Sequence, residues 1–373
     1  MNTSIINTKT LFSTLFIGTL LITISSCNSK NTNIKVTPVI DSINEDTSKT
    51  IYASEVIPFF ENWKLILGDG SNAGIATDFE NKDFFYTTND GTSNWVVFKA
   101  PNAGDTHGTS NNTRTELAQV KKWYPKNAND TLTATLKVMN VSATGDARVA
   151  ASHAVVVGQI HSADAHENEP LKIFYKKFPG HTKGSVFWHY EINTAGEDNS
   201  LRWDYSSAVW GDDFSVIGSD ENTYPNEPKD GIELGEEFSY KVAVSDGVMH
   251  LTFTSDNHPT KTFTKNLIKS SYTTAALIPE QTQLLFVPIG QNGVERDSAY
   301  TGEGLFFKLG AYNQTNGKSP EINRNWCSGA ETHGGDIQKQ YADGNYAEVW
   351  FKTANISISD QAVSNDGYFQ KND

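Results

Sequence analysis

Alternation of apolar and polar residues recurs along the chain and constrains its fold more than any other feature of the sequence. Successive side chains of a strand point to opposite faces, so a period of two indicates a strand with one buried face. The stretch "TLTATLKV" places four apolar side chains on one face, those of Leu132, Ala134, Leu136 and Val138. The stretch "FSYKVAVSDGVMHLTFTSD" predicts two strands joined at Asp246-Gly247, a typical hairpin turn.

Further strands are predicted at "SVFWHYEI", "TQLLFVPI", "GLFFKLGAYNQ" and "NYAEVWFKTANI". Threonine, serine, asparagine and glycine are abundant, and long amphipathic helix patterns are scarce. Many strands with polar loops favour a sandwich or a jelly roll. The expected fold is therefore an all-β jelly-roll β-sandwich, with one outer face free to form a concave polar cleft.

The N-terminus carries a targeting signal. Lys9 precedes an apolar run over residues 11–24, which is too short to span a bilayer and is typical of a signal peptide. The tetrapeptide "ISSC" that ends at Cys27 resembles the bacterial lipobox, so residues 1–27 are expected to be a lipoprotein signal peptide that ends at a lipidated Cys27. The alternative is an ordinary signal peptide of a secreted protein. The other cysteine, Cys327, then has no partner, so no disulfide framework is expected.

The rest of the chain divides into three parts. Residues 28–54 are polar and without periodicity, which predicts a flexible tether. Residues 55–356 contain neither an internal repeat nor a linker, so they are expected to form one domain, most simply a monomer. Residues 357–373 are interpreted as a loose C-terminal tail. The lipid anchor would attach the domain to the membrane, in the bacterial cell envelope and most simply at the outer membrane.

The net charge of −14 and the sequence pI of about 5.1 limit the classes of molecule that the chain is expected to bind. The sequence has no basic run, which argues against binding to nucleic acid. A polyanionic substrate would require a cleft that is locally basic against the sign of the whole chain.

Three stretches carry residues suited to chemistry. In "VVVGQIHSADAH", period two places Gln159 and His161 on one face with Val155 and Val157. In "NNTRTELAQV", Arg114 and Glu116 share a face. In "GLFFKLGAYNQ", a polar face is formed by Lys308, Gly310, Tyr312 and Gln314. Taken singly, each stretch is explained as well by a structural histidine, a same-face ion pair and a solvated strand face.

Together, the three stretches resemble polysaccharide lyase family 7, the alginate lyases. The family motifs R-[TS]-E-L, Q-[IV]-H and Y-F-K-A-G-x-Y-N-Q correspond to "RTEL" at 114–117, "QIH" at 159–161 and "FFKLGAYNQ" at 306–314. "NWKLIL", "LKIFYK" and "YAEVWF" also look like family segments. Three positions depart from the pattern: Ala118 stands where the family often has a second arginine, Phe306 replaces a common tyrosine, and Leu309 a common alanine.

The resemblance implies cleavage of 4-linked uronates by β-elimination without a cofactor or a metal. It implies four catalytic residues: Arg114, Gln159, His161 and Tyr312. Arg114 and Gln159 would neutralise the C5 carboxylate, with His161 as a further donor or as the base for guluronate. Tyr312 would donate the proton to the leaving oxygen and act as the base for mannuronate. Expected substrate contacts are Glu116, Lys308, Gln314 and Lys172.

Three alternatives are weaker. His161, Asp164 and His166 could suggest a metal site, but the set lacks a fourth ligand. A laminarinase-like hydrolase would need an E-x-D-x-x-E strand, and the nearest match, at Glu295, has tyrosine in the last position. A non-catalytic glycan-binding lipoprotein of sandwich fold would present exposed aromatic platforms, for which the candidates are Trp188, Trp203 and Trp210.

Two finer expectations concern specificity. By resemblance, Ile160 in the Q-[IV]-H motif favours activity on guluronate-containing blocks. The long polar stretches at 207–231 and 315–344 are expected to be loops that close one end of the cleft, which would favour exolytic release of short products.

Overall fold

The computed structural model describes residues 51–58, 60–106, 110–163, 169–192, 203–268 and 303–372. The described residues belong to one compact unit, Thr50–Asp373. The signal peptide, Cys27 and nearly all of the expected tether lie outside the described residues, as does the strand expected at "TQLLFVPI". No helix within the described ranges is long and apolar enough to cross a membrane.

The described chain forms eighteen strands and three short α-helices. The strands are β1 (Trp63–Ile66), β2 (Asn72–Gly74), β3 (Phe85–Asn89), β4 (Asn94–Pro101), β5 (Arg114–Gln119), β6 (Lys121–Lys122), β7 (Asn129–Asn140), β8 (Ala154–Ser162), β9 (Leu171–Lys176), β10 (Lys183–Ile192), β11 (Trp203–Trp210), β12 (Ile232–Glu233), β13 (Phe238–Ser245), β14 (Val248–Thr254), β15 (Lys261–Asn266), β16 (Leu305–Asn313), β17 (Tyr346–Ser357) and β18 (Val363–Ser364). The helices are α1 (Ala53–Val56), α2 (Ile337–Ala342) and α3 (Asp366–Asn372).

Two antiparallel sheets contain most of these strands. The first sheet has the order β11-β10-β9-β8-β16-β5-β1-β2, and β12 pairs with β10. The second sheet has the order β15-β14-β13-β7-β17-β4-β3, and β18 pairs with β6 in a small ribbon. The predicted all-β jelly-roll sandwich is confirmed.

The sequence patterns explain the local structure. In β7 every second residue is buried, including Leu132, Leu136 and Val138, as the alternation predicts. The β13–β14 hairpin turns at Asp246 and Gly247, both of which have positive φ angles, 49° and 78°. A two-residue turn of this kind matches the twist of the flanking strands.

One apolar core joins the inner faces of the two sheets. It includes Leu117, Leu136, Leu309 and Phe351, all of which have no exposed surface. The other face of the first sheet, which carries Arg114, Gln159, His161, Lys308 and Tyr312, is called the polar face below.

A β-bulge in β8 corrects the predicted face of two valines. Val155 and Val157 pack in the main core with Ile160, whereas Val156 packs in a second cluster with Phe174. The pairing of β8 with β9 shifts register between Val156 and Gly158. The extra residue of the bulge reverses the alternation, so Gln159 and His161 do not share their face with Val155 and Val157 as predicted.

The expectation of a loose tail at 357–373 is wrong. Val363 and Ser364 pair with Lys122 and Lys121, and the helix that follows, α3, buries Phe369 to 1% exposure. Burial of an aromatic side chain thus holds this short segment against the domain, because burying a phenylalanine stabilises the docked state by about 1.5–3 kcal/mol.

Candidate active site

Three adjacent strands in the middle of the first sheet carry the predicted catalytic residues. Strand β16 lies between β8 and β5, where Tyr312 pairs with Arg114 and Lys308 pairs with Gln159. Gly310 has a φ of 146°, and a Cβ there would run into the backbone oxygen of Thr115. The glycine therefore relieves crowding between β16 and β5 and keeps the two strands in register around the site.

Glu116 connects the polar residues of the three strands. Its carboxylate has no exposed surface and accepts a charged hydrogen bond from Lys308 Nζ at 2.7 Å. Gln159 Nε2 donates to the other carboxylate oxygen, and Arg114 NH1 lies 3.5 Å from the first. Burial favours the neutral acid, but the charges of Lys308 and Arg114 outweigh it and hold the pKa of Glu116 below its usual value.

The guanidinium of Arg114 stacks on the phenol of Tyr312. The guanidinium carbon lies 3.8 Å from the ring centroid, a close cation–π contact. The Tyr312 hydroxyl is 3.1 Å from that of Ser110. Burial opposes the charge of Arg114, but the nearby Tyr312 and Glu116 oxygens hold its pKa above the usual value. Arg114 thus stays protonated beside the group expected to transfer protons.

His161 is neutral and has a defined tautomer. Its Nδ1 lies 2.6 Å from the carbonyl oxygen of Ser162, which can only accept, so Nδ1 carries the proton. Burial lowers the pKa of His161 to about 3, and the charge of Lys308 acts in the same direction. The free lone pair is therefore on Nε2, which lies 3.7 Å from Glu169 Oε1. A neutral imidazole with a free Nε2 can accept a proton.

The remaining predicted contacts lie around this centre. Lys172 is 3.1 Å from both Glu169 and Glu191, so its charge is balanced by carboxylates. Burial lowers the pKa of Lys308 to about 8, although the Glu116 carboxylate opposes the shift. Gln314 is 3% exposed, and its Nε2 donates to the Tyr312 carbonyl at 3.4 Å. Cations and carboxylates are thus intermixed, and the site is not a uniformly basic patch.

Two long loops meet on the polar face. Phe214 comes from the stretch at 207–231 and Trp326 from the stretch at 315–344, and their ring centroids are 5.2 Å apart. Trp326 also stacks with His189 of β10 at 6.2 Å and lies 5.6 Å from Lys172 Nζ. The aromatic pair covers strands β9 and β10, beside the three strands that carry the predicted catalytic residues.

Sequence reasoning missed several members of the site. Glu191 and His189 alternate with core residues in "SVFWHYEI", and His189 pairs with Lys172, so the period of two in β10 was the available signal. Glu169 and Ser110 lie just outside regular strands and had no periodic signal. Two of the tryptophans considered as stacking platforms for glycans, Trp188 and Trp210, are buried in the main core.

Within the described ranges, no group of three or more His, Cys, Asp or Glu side chains could hold a metal ion. The residues Asp164 and His166 of the weaker metal alternative lie outside those ranges.

Comparison with known proteins identifies the chain. A family described as "Alginate lyase" matches residues 57–358. The chain belongs to the alginate lyase family. A solved structure of an exolytic family 7 alginate lyase, AlyA5 from Zobellia galactanivorans, is 59% identical, with a TM-score of 0.77 over 83% of this chain and 98% of that one. The resemblance to polysaccharide lyase family 7 is confirmed.

More distant alginate lyases share the fold. An alginate lyase of Klebsiella pneumoniae is 27% identical over 280 residues, 66% of this chain and 76% of the relative. A solved structure of an alginate lyase from the same organism is 22% identical, with a TM-score of 0.55 over 81% of this chain and 97% of that one. This alginate lyase is thus an enzyme, a polysaccharide lyase that acts on alginate.

Proposed function

We propose that this alginate lyase cleaves its substrate with Arg114, Gln159, His161 and Tyr312. The observation that carries the proposal is the buried Glu116 carboxylate, which ties Arg114, Gln159 and Lys308 together across three strands. We assign Glu116 to positioning rather than to substrate contact, because it has no exposed surface. Donors fixed before the substrate arrives stabilise developing charge without reorganisation.

The chemical step is a β-elimination. A base removes the proton at C5, the C4–C5 double bond forms, and the bond between C4 and the glycosidic oxygen breaks. Arg114 and the Gln159 amide stabilise the negative charge that develops on the C5 carboxylate. Tyr312, held between Arg114 and Ser110, returns a proton to the leaving oxygen. His161 is the base for guluronate through Nε2, and Tyr312 is the base for mannuronate.

We further propose exolytic action with activity on guluronate-containing blocks. The exolytic proposal is supported by the loops that meet at Phe214 and Trp326, and by the 59% identity to a relative described as exolytic. The block preference depends on Ile160 in the Q-[IV]-H motif. Lys172, Lys308 and Gln314 are proposed to support substrate binding around the catalytic centre.

The test uses the purified domain from residue 50 onwards. Ultraviolet absorbance of the new double bond is followed on polyguluronate and on polymannuronate, with Tyr312→Phe alongside. Elimination that Tyr312→Phe abolishes supports the assignment, and the relative rates measure block preference. Products that stay short from the first minutes indicate exolytic action, whereas an early ladder of long oligomers contradicts it. A non-catalytic glycan binder would retain alginate without any rise in absorbance.

We also propose that Cys27 is lipidated and anchors a monomeric enzyme in the bacterial envelope, at the outer membrane. The proposal is supported by the "ISSC" tetrapeptide after the apolar run of residues 11–24. Labelling with a fatty acid in cells, with Cys27→Ser as the control, tests it. Label that persists in Cys27→Ser, or a protein recovered only from the medium, refutes the anchor.

A further inference from the structure

The C-terminal segment is bonded to the end of β5, an interior strand of the active-site sheet. After the β18–β6 pairing, the Asn365 amide donates to the Val120 carbonyl at 2.9 Å, and its side-chain amide donates to the Gln119 carbonyl at 3.3 Å. Asn365 is 1% exposed. These bonds fix the start of α3 directly beside the C-terminal end of β5.

Helix α3 then inserts two aromatic rings into the polar face. Phe369 packs in a cluster with Ala118 and Phe306, and Lys64 Nζ lies 4.2 Å from its ring centroid. Tyr368 lies 4.8 Å from Phe306 and 5.4 Å from Phe369, between ring centroids. An arginine at position 118 would occupy the space that Phe369 fills, so the small Ala118 and the docked helix fit each other.

The same helix reaches the proposed base. The Tyr368 ring meets the His161 imidazole edge-on, with centroids 5.5 Å apart and planes at 64°. Phe306 lies against the imidazole at 5.3 Å, and Ser162 holds Nδ1. The ring of His161 is thus bounded by one aromatic group from its own sheet and one from the C-terminal helix.

We propose that Tyr368 is a positioning residue of the active site, which holds the imidazole of His161 so that Nε2 faces the substrate. The inference depends on the proposed role of His161 as a base. Edge-to-face contact is a preferred geometry between aromatic rings, so the Tyr368 ring favours one orientation of the imidazole. The contact is made by the ring of Tyr368, so phenylalanine should replace it.

Water exclusion is the second effect of the helix. The charged groups that face His161 are Lys308 and Arg114, which disfavour its protonation, and Glu116 and Glu169, which favour it. Removing the Tyr368 ring would open the imidazole to water, which reduces the burial effect and moves the pKa of His161 upwards, towards about 6.5.

The experiment compares Tyr368→Ala and Tyr368→Phe in the domain from residue 50 onwards. The matched control is Tyr86→Ala, which removes a half-buried tyrosine from β3, the last strand of the second sheet. Nuclear magnetic resonance follows the titration of the His161 ring, whose signal is assigned by its absence in His161→Asn. Kinetics on polyguluronate give kcat and KM separately, and thermal unfolding verifies that each variant is folded.

The expected result is a rise of at least one unit in the pKa of His161 in Tyr368→Ala, and a fall of about tenfold in kcat with KM changed less. Tyr368→Phe and Tyr86→Ala should match the parent within twofold. An unmoved His161 titration in folded Tyr368→Ala would overturn the proposal, as would a Tyr368→Phe as damaged as Tyr368→Ala. A shifted pKa with unchanged kcat would also overturn the positioning role of Tyr368. The proposed role of His161 as base is tested separately, because a His161→Asn that keeps the parent kcat on polyguluronate would refute it.

Discussion

The strongest prediction concerns the buried carboxylate of Glu116. Glu116→Gln keeps the shape of the side chain but leaves Lys308 and Arg114 as two buried cations without their common partner. Coulomb's law with an effective dielectric constant of about 20 gives roughly 6 kcal/mol for the Lys308 contact at 2.7 Å. Desolvation and loss of the Lys308 proton in the variant offset part of this. The expected loss in free energy of unfolding is about 3–5 kcal/mol.

Urea unfolding measures the effect as a shift of the midpoint at constant slope. The matched control is Glu237→Gln, which removes the partner of Lys352 in a 3.2 Å pair whose side chains are 44% and 37% exposed. An exposed pair of this kind contributes at most about 1 kcal/mol. The double variant Glu116→Gln/Lys308→Met should regain part of the lost stability, because it removes the unpaired charge. A Glu116→Gln no less stable than Glu237→Gln would refute the reasoning.

Three further predictions follow from buried groups. Gly158→Ala places a Cβ 2.5 Å from the Tyr240 hydroxyl oxygen, so it should destabilise the fold by about 1–3 kcal/mol and, because the bulge is displaced, lower activity. The control Gly367→Ala, whose Cβ meets nothing within 4 Å, should change neither stability nor activity. Burial lowers the pKa of Lys176 to about 7, so between about pH 7 and 10.5 the unfolded chain binds one proton more than the folded chain. The free energy of unfolding should therefore rise with pH in this range, by at most about 1.4 kcal/mol per pH unit. Urea unfolding should show the rise in the parent and not in Lys176→Met. Lys308, with a pKa of about 8, should lose its proton above that pH and reduce kcat/KM, and Lys308→Arg should move the decline upwards; identical pH–rate profiles would contradict this.

The motifs on regular strands could be predicted from the sequence because period two fixes the face of each residue. Arg114 and Glu116 lie on one strand with Leu117 behind them in the core, and the polar positions of β16 follow the same rule. The rule fails at Gly158, where one extra residue reverses the faces of the preceding valines. A bulge is set by the pairing with neighbouring strands, which the sequence of one strand does not contain.

The C-terminal helix escaped prediction for a different reason. Seven residues are too few to show a helical period, and the polar composition of residues 357–373 resembles that of a loose tail. Two features of the sequence, taken together, were the available signal for the docked helix. Ala118 leaves a space on the polar face, and Tyr368 and Phe369 are large aromatic residues in a mostly polar segment. Only the folded structure shows that Phe369 packs into the space beside Ala118.

The order of strands in the first sheet also determines when the proposed catalytic residues come together as the enzyme folds. The three central strands come from distant parts of the chain, and Arg114 pairs with Tyr312 about 200 residues further on. Such long-range pairs form late, because the loop between them must close before the contact is gained, whereas a local hairpin such as β13–β14 forms early. No short contiguous fragment contains all three strands. Turnover therefore reports a completed topology, and a partly folded intermediate carries strands but no catalytic centre.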